Sequence, residues 1–356
     1  MKTDELAYLI ALSQYPKFGA RRLQKLLAFF SSPKIAFHAD KQALMTAGIP
    51  GKIAEGFCFL RNDIHPEQLL DRLDKAGVKP ITFADENYPD LLKHIFDPPV
   101  VLYVQGKITK QPGIGIVGSR KASFYGKQMA QEFSSALAQA GQVVISGLAY
   151  GIDEAAHQGT VDAGGVTIGV LAHGHEQMTS RTRYLSQKML ETGGAIISEF
   201  FPNIPAQRHH FPIRNRIISG MSHSLLVVEA GLKSGSLITA KSALEQGRDV
   251  YAIPGPITSE TSHGTNQLIK DGALVALSPQ DLCEALNLTH PPQPERGPIE
   301  TEEEAQLLDY LSKQPIHINE LCRLLELPTH ALASTLALLE LKGRTKQIGG
   351  MYYVLI

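Results

Sequence analysis

Six short runs, apolar at nearly every position, constrain this chain more than any other feature: Ile114–Val117, Val143–Ile145, Val166–Leu171, Ala195–Ile197, Leu225–Val228 and Val250–Ile253. A strand with one face in water alternates apolar and polar residues. One buried on both faces does not alternate, and segments of helical length separate these six. The pattern predicts an α/β domain over residues 79–287, a Rossmann-like parallel sheet with helices on both faces and right-handed crossovers.

The flanks read differently. Residues 1–75 carry helical apolar spacing (Leu6, Leu9, Ile10; Leu23, Leu26, Leu27, Phe30; Leu69, Leu70, Leu73), broken at Pro16–Gly19 and Gly48–Gly51. The second break, followed by Lys52-Ile53-Ala54, reads either as a helix-hairpin-helix turn offering amides to a DNA phosphate or as a plain bundle corner. Residues 288–301, with Pro291, Pro292, Pro294 and Pro298, form a predicted linker. In 302–356, three helices and a hairpin turned by Gly349-Gly350 predict a winged helix.

A formal net charge of -1 excludes binding a polyanion through an all-over positive field, so any such site must be local. Cys58, Cys283 and Cys322 are too far apart for a Cys-x-x-Cys knuckle or a disulfide framework. No signal peptide and no bilayer-length apolar run is legible, so no membrane association is expected and the cytosol is the expected compartment.

In open α/β sheets ligands bind beyond the carboxyl ends of the strands. Those ends carry Gly118-Ser119-Arg120, Ser146-Gly147, His173-Gly174-His175, Ser198-Glu199, Glu229-Ala230-Gly231 and Pro254-Gly255, small residues where a backbone can approach a ligand and helix amides point outward. Arg120, directly after its turn, is placed to fork phosphate oxygens. Gln207–Arg216 interleaves Arg208, Arg214 and Arg216 with Phe211, as single-strand binding requires, since bases stack on rings while phosphates meet arginines. Ser234-Gly235-Ser236, leading through Thr239 into a helix, suits an anion, the plainer reading being a serine N-cap. Gly113-x-Gly115-x-x-Gly118 spells a dinucleotide fingerprint, but its first two glycines lie before and inside the strand, so no dinucleotide cofactor is expected.

Catalytic readings find no landmark. Ser234 and Ser236 are not in a Gly-x-Ser-x-Gly elbow. His173, His175, His209 and His210 lack the companions of a metal site. Asp153 and His157, one helical turn apart, suit a structural hydrogen bond better than a proton relay.

Together, Gly118-Ser119-Arg120, Ser146-Gly147-Leu148-Ala149-x-Gly151-Ile152-Asp153-x-x-Ala156-His157, Ser198-Glu199, His210-Phe211-Pro212-x-Arg214-Asn215-Arg216, Ser234-Gly235-Ser236-Leu237-x-Thr239-Ala240 and Gly247-Arg248-x-Val250-x-Ala252-x-Pro254-Gly255 resemble the DNA-processing protein A (DprA/Smf) family. The likeness spans Tyr88 to Ala276, and more loosely a sterile-alpha-motif-like N-terminal module and the winged helix. It implies a bacterial cytosolic protein without catalytic turnover that binds and protects incoming single-stranded DNA, loads RecA during natural transformation and forms a homodimer. It also implies DNA contacts at Arg120 and around Arg181, a pocket lined by Arg208, Phe211 and Asn215, and a dimer or RecA interface at Asn266, Ile269 and Val275. Where the family has a Tyr-Pro-basic loop this chain has Met178-Thr179-Ser180-Arg181, keeping the charge but neither the ring nor the proline.

Two other functions are weighed. A Rossmann-like nucleotide phosphoribohydrolase needs an Arg–Glu pair over a glycosidic bond, for which Glu199 and Glu229 are the candidates. A duplex-DNA regulator needs a polar recognition helix, whereas Thr329 to Lys342 is mainly Ala and Leu, with charge only at its end in Lys342 and Arg344.

Overall fold

The structure, a computed structural model, describes residues 3–109, 111–288, 297–312 and 314–355. It divides into two compact units, Met1–His290 and Pro291–Ile356. Of the predicted linker, Pro291, Pro292 and Pro294 lie outside the described residues.

The first unit opens with helices α1 (Thr3–Ser13), α2 (Ala20–Phe29), α3 (Pro33–His38), α4 (Lys41–Thr46), α5 (Gly51–Leu60) and α6 (Pro66–Lys75). The breaks read from sequence fall between α1 and α2 and between α4 and α5, where Gly48 adopts φ +87°. Ser32 and Asp40 cap α3 and α4 by accepting from the amides of Ile35 and Ala43. Ile10, Leu12, Leu26, Leu44 and Phe57 are buried together with Val101, Tyr103 and Phe201 of the sheet domain, so the helices share a core with its edge. There Tyr103 Oη lies 3.1 Å from Ser13 Oγ.

The sheet elements follow as β1 (Lys79–Thr82), α7 (Asp90–Lys93), β2 (Val101–Gly106), β3 (Gly113–Val117), α8 (Phe124–Gln139), β4 (Val144–Ser146), α9 (Ile152–Asp162), β5 (Thr167–Leu171), α10 (Ser180–Glu191), β6 (Ala195–Ser198), α11 (His210–Met221), β7 (Ser222–Val227), α12 (Gly235–Glu245), β8 (Asp249–Ala252), α13 (His263–Lys270), β9 (Leu274–Val275) and α14 (Pro279–Ala285). Strand order is β1-β2-β6-β5-β4-β3-β7-β8-β9. The six predicted strands all form and pair in parallel, while β1 and β2 add an antiparallel edge beside β6.

Both faces are covered, as the apolar runs require. Ile114 and Ile116 of β3 face Phe133 and Ala156 of α8 and α9. Val117, on the other face, joins Ile218 and Ala240 of α11 and α12. A Cβ at Gly113 would sit 2.5 Å from Val143 O, and one at Gly115 2.6 Å from Leu225 Cδ1, so these glycines serve strand packing. From β3 the chain lays β4, β5 and β6 to one side, then crosses to place β7 and β8 on the other. The order reverses at β3, and that reversal opens a crevice at the carboxyl ends of β3, β4 and β7.

The second unit comprises α15 (Glu302–Tyr310), β10 (Ile316–His317), α16 (Ile318–Leu325), α17 (Thr329–Leu341), β11 (Thr345–Gln347) and β12 (Tyr352–Leu355), a three-stranded winged helix around Leu321, Leu332, Leu336 and Leu339. No single helix among the described residues is long and apolar enough to cross a bilayer.

Candidate nucleic-acid interface

The crevice holds a cavity of about 440 Å³. The turn after β3 supplies Gly118, Ser119, Arg120 and Lys121, and α11 supplies Phe211, Arg214 and Asn215. The loop after β7, running into α12, supplies Lys233, Ser234, Gly235, Ser236 and Thr239. Four basic side chains line it (Arg120, Lys121, Arg214, Lys233) against one acid, Asp153. A chain of net charge -1 therefore presents a locally positive hollow.

Each wall is fixed by its own hydrogen bonds. Ser119 N donates to Glu229 O at 2.7 Å, and Ser119 Oγ accepts from Lys121 N at 3.1 Å, which sets the turn. Arg120 then projects outward with its guanidinium 4.2 Å from the Phe211 ring centroid, a cation on a ring at the mouth of the cavity. Ser234 caps α12, accepting from Ser236 N at 3.4 Å, so the serine N-cap reading describes this loop. Because that cap stands at the cavity, the first amides of α12 and its positive dipole end stand there too.

Arg214 forms the floor. It is 3% exposed, with Nη1 donating to Gly147 O and Val170 O and Nε donating to Asn215 Oδ1 at 3.1 Å. Asn215 Nδ2 in turn donates to Gly235 O at 3.3 Å, tying α11 to the serine loop. Burial pushes the Arg214 guanidinium down to about 10; the Asp153 carboxylate pulls the other way and Arg120 adds to the depression. Burial likewise raises Asp153, against the attraction of Arg214. Both charges are held where water would not place them.

Several sequence readings change place. Ser146 is fully buried, its Oγ donating to Ile116 O at 2.5 Å, because β4 is a central strand with neither face in water. A Cβ at Gly118 would lie 2.5 Å from Ile152 Cγ1, and one at Gly147 2.5 Å from Arg214 Nη1, so the close approaches at these glycines come from the protein itself. Asp153 and His157 do not bond each other: Asp153 Oδ2 accepts from Gly147 N at 3.1 Å, and His157 Nδ1 lies 2.7 Å from Thr167 Oγ1. Arg208 is exposed on the loop before α11, outside the cavity lining. Arg181, at the start of α10, pairs with Glu154 and sits over the exposed Tyr150, next to Ala149 of the lining. Arg216 turns away from the cavity to Glu199 and Asp97 at 2.8 and 2.9 Å.

Lys121 and Lys233 are lining residues that sequence reasoning missed; adjacency to Arg120 and Ser234 was the available signal. At the far edge Asn266 brackets Gly255, accepting from its N at 3.2 Å and donating to its O at 2.9 Å. Ile269 is half-buried, and Val275 is 40% exposed on β9.

The two carboxylates a phosphoribohydrolase would use are occupied. Glu229, 4% exposed, accepts from Ser123 N, Ser123 Oγ and Thr261 Oγ1 at 2.8, 2.6 and 2.9 Å, and Glu199 clamps Arg216 with both oxygens. Among the described residues no group of three or more His, Cys, Asp or Glu side chains is arranged to hold a metal.

Residues 79–287 match the family described as DNA recombination-mediator protein A, and residues 290–351 match the DprA winged helix domain. Protein Smf of Escherichia coli is 41% identical over 253 residues, covering 70% of this chain and 67% of that protein. Among solved structures, DNA processing protein A of Streptococcus pneumoniae aligns with 80% of this chain and 98% of its own at 30% identity and TM-score 0.67. DNA processing protein A of Helicobacter pylori, solved for its single-stranded DNA binding mode, aligns with 59% of this chain and 96% of its own at 27% identity and TM-score 0.52.

Proposed function

From the premise that the chain belongs to the DNA recombination-mediator protein A (DprA/Smf) family, we propose that it binds single-stranded DNA in the cavity at the strand-order reversal and acts by holding the strand rather than by turnover. The observation that carries this is the convergence of Arg120, Lys121, Arg214 and Lys233, the α12 amides and the Phe211 ring on one 440 Å³ hollow. Guanidinium, ammonium and amide groups suit phosphate oxygens, and a ring beneath Arg120 suits a base. With the cations and amides assigned to phosphates and the ring to a base face, the contacts carry little sequence information and recognition is sequence-tolerant. The single-strand binding of the Helicobacter pylori protein supports the same class of ligand.

In this reading the protein works in the cytosol, protects incoming strands and passes them to RecA during natural transformation, roles that rest on the family. Arg181 and Arg208, just outside the cavity, extend the phosphate contacts. Homodimerisation engages the β9 edge, where Leu274, Val275 and Leu277 are 48%, 40% and 75% exposed beside Ile269 and Asn266. Two cavities along one strand would raise avidity without new contacts.

The test compares fluorescence anisotropy of labelled oligo-dT and of a duplex of equal length across a salt series. Tighter binding of the single strand, weakening linearly in log salt, is expected. Equal or absent binding at low ionic strength refutes the assignment. Incubation with nucleoside monophosphates should release no free base.

A further inference from the structure

The chain is almost charge-neutral, yet residues 6–39 contain Lys17, Arg21, Arg22, Lys25 and Lys34 and no acid at all. Lys34 is taken by Asp4 at 2.9 Å. The other four form no ion pair among the described residues, and they lie on or just before α2. Arg21, Lys25 and Phe29 recur at every fourth residue, so they line one exposed face of α2 about 12 Å long.

A second ring completes that face. Phe96, 76% exposed, lies under Arg21, whose guanidinium carbon is 4.0 Å from the ring centroid. Phe29 is 51% exposed at the other end. The order along the surface is ring, guanidinium, ammonium, ring. Gln24 Nε2 donates to Pro98 O at 3.1 Å and locks the Phe96 loop against α2. The acid in that loop, Asp97, is turned inward onto Arg216 of α11 at 2.9 Å and leaves the face positive. The same contact couples the loop to the helix that carries Phe211 and Arg214 into the cavity.

We propose that α2 and the Phe96 loop form a second contact surface for single-stranded nucleic acid, engaging the strand where it runs beyond the cavity. This rests on the single-strand reading given above. An acidic polypeptide would use the four cations but has no use for two exposed rings flanking them. A single strand uses both, its phosphates on Lys17, Arg21, Arg22 and Lys25 and its bases on Phe29 and Phe96. Exposed phenylalanines cost solubility when they stand alone in water, and here each is next to a cation without an acidic partner.

The test measures anisotropy of the full chain with oligo-dT of about 6 and about 30 nucleotides, one within the range of a single binding site and one longer than it. The Arg21→Ala/Lys25→Ala variant should bind the short strand as wild type does. On the long strand its slope of log affinity against log salt should shrink by about 1.4, two single-strand phosphate contacts. Phe29→Ala should weaken the long strand alone, by about fivefold or more, the low end of one base–ring stack. Wild-type affinities for both variants with the long strand overturn the second surface and leave the cavity assignment standing. Failure of the wild type to bind either length brings down both. If poly-glutamate competes equally with wild type and with Phe29→Ala, the surface belongs to acidic partners and the proposal falls.

Discussion

Replacing Gly147 by alanine separates two reasons for a glycine at the end of β4. If the residue is small because a ligand backbone approaches it, Gly147→Ala weakens DNA binding and leaves stability alone. The structure gives a different cause. The new Cβ would stand 2.5 to 2.6 Å from Nη1, Cζ and Nη2 of Arg214, a guanidinium that is buried and held by Gly147 O and Val170 O. It cannot retreat without giving up those two carbonyls. A hydrogen bond to a charged group contributes about 1.5–3 kcal/mol, so losing two at the low end costs about 3 kcal/mol. For a unit of this size that lowers the melting midpoint by about 5 °C. Differential scanning calorimetry of Gly147→Ala, Arg214→Ala and the double variant gives the answer. Once Arg214 is gone the methyl has nothing to displace, so the double variant should be more stable than the sum of the singles predicts, by about 2–3 kcal/mol. An unchanged midpoint for Gly147→Ala, or strict additivity in the cycle, refutes the reasoning.

Arg120→Ala should leave the unfolding free energy from urea titration within about 0.5 kcal/mol of wild type, because the side chain is exposed and rests on the Phe211 ring. It should weaken oligo-dT binding and reduce the salt slope by about 0.7, one single-strand phosphate contact; a slope equal to wild type would remove Arg120 from the interface. Acid should destabilise the fold well above the carboxylate range. Burial depresses His157 to about 3 and His175 to about 4, from 6.5 when unfolded. With the folded values depressed, the unfolded chain takes up the protons first, so stability is complete above 6.5 and falls as pH drops through the window below it. At pH 5 each histidine accounts for about 2 kcal/mol, and His157→Gln should lose about half of the combined dependence. A flat urea midpoint between pH 7 and pH 5 would contradict this.

What the sequence disclosed, and what it hid, follows from how far each interaction reaches along the chain. The six parallel strands were legible because burial on both faces writes itself into every residue of a short run. The edge strands β1 and β2 went unread: Val101-Leu102-Tyr103-Val104 is as apolar as its neighbours, but antiparallel pairing to β6 depends on a partner almost a hundred residues away. Strand ends pointed to the crevice, and the structure brings Arg120, Phe211, Arg214, Asn215, Ser234, Gly235, Ser236 and Thr239 together on one cavity. The same rule misjudged Ser146 and Gly147, because small residues at a strand end admit a neighbouring side chain as readily as a ligand. Lys121 and Lys233 escaped notice because nothing in one dimension marks which surface lysines face a hollow.

The segment Arg214-Asn215-Arg216 shows why composition alone cannot assign a basic cluster. On an α-helix residues two apart point roughly opposite ways, about 200° around the axis. Arg216 therefore meets Glu199 and Asp97, and its charge is raised in affinity for protons despite the burial that opposes it. Arg214, two residues earlier, is given carbonyls and Asp153, a carboxylate that burial itself raises, and its charge is held less firmly. Two arginines identical in sequence context thus carry different work: one has its compensation built in and fastens α11 to the rest of the domain, while the other is left short of it. The shortfall is a cost in the free protein, and in the proposed reading it is what an arriving phosphate relieves. A site of this kind needs no excess of positive charge over the whole molecule, only a buried cation that its one neighbouring acid, Asp153, compensates incompletely.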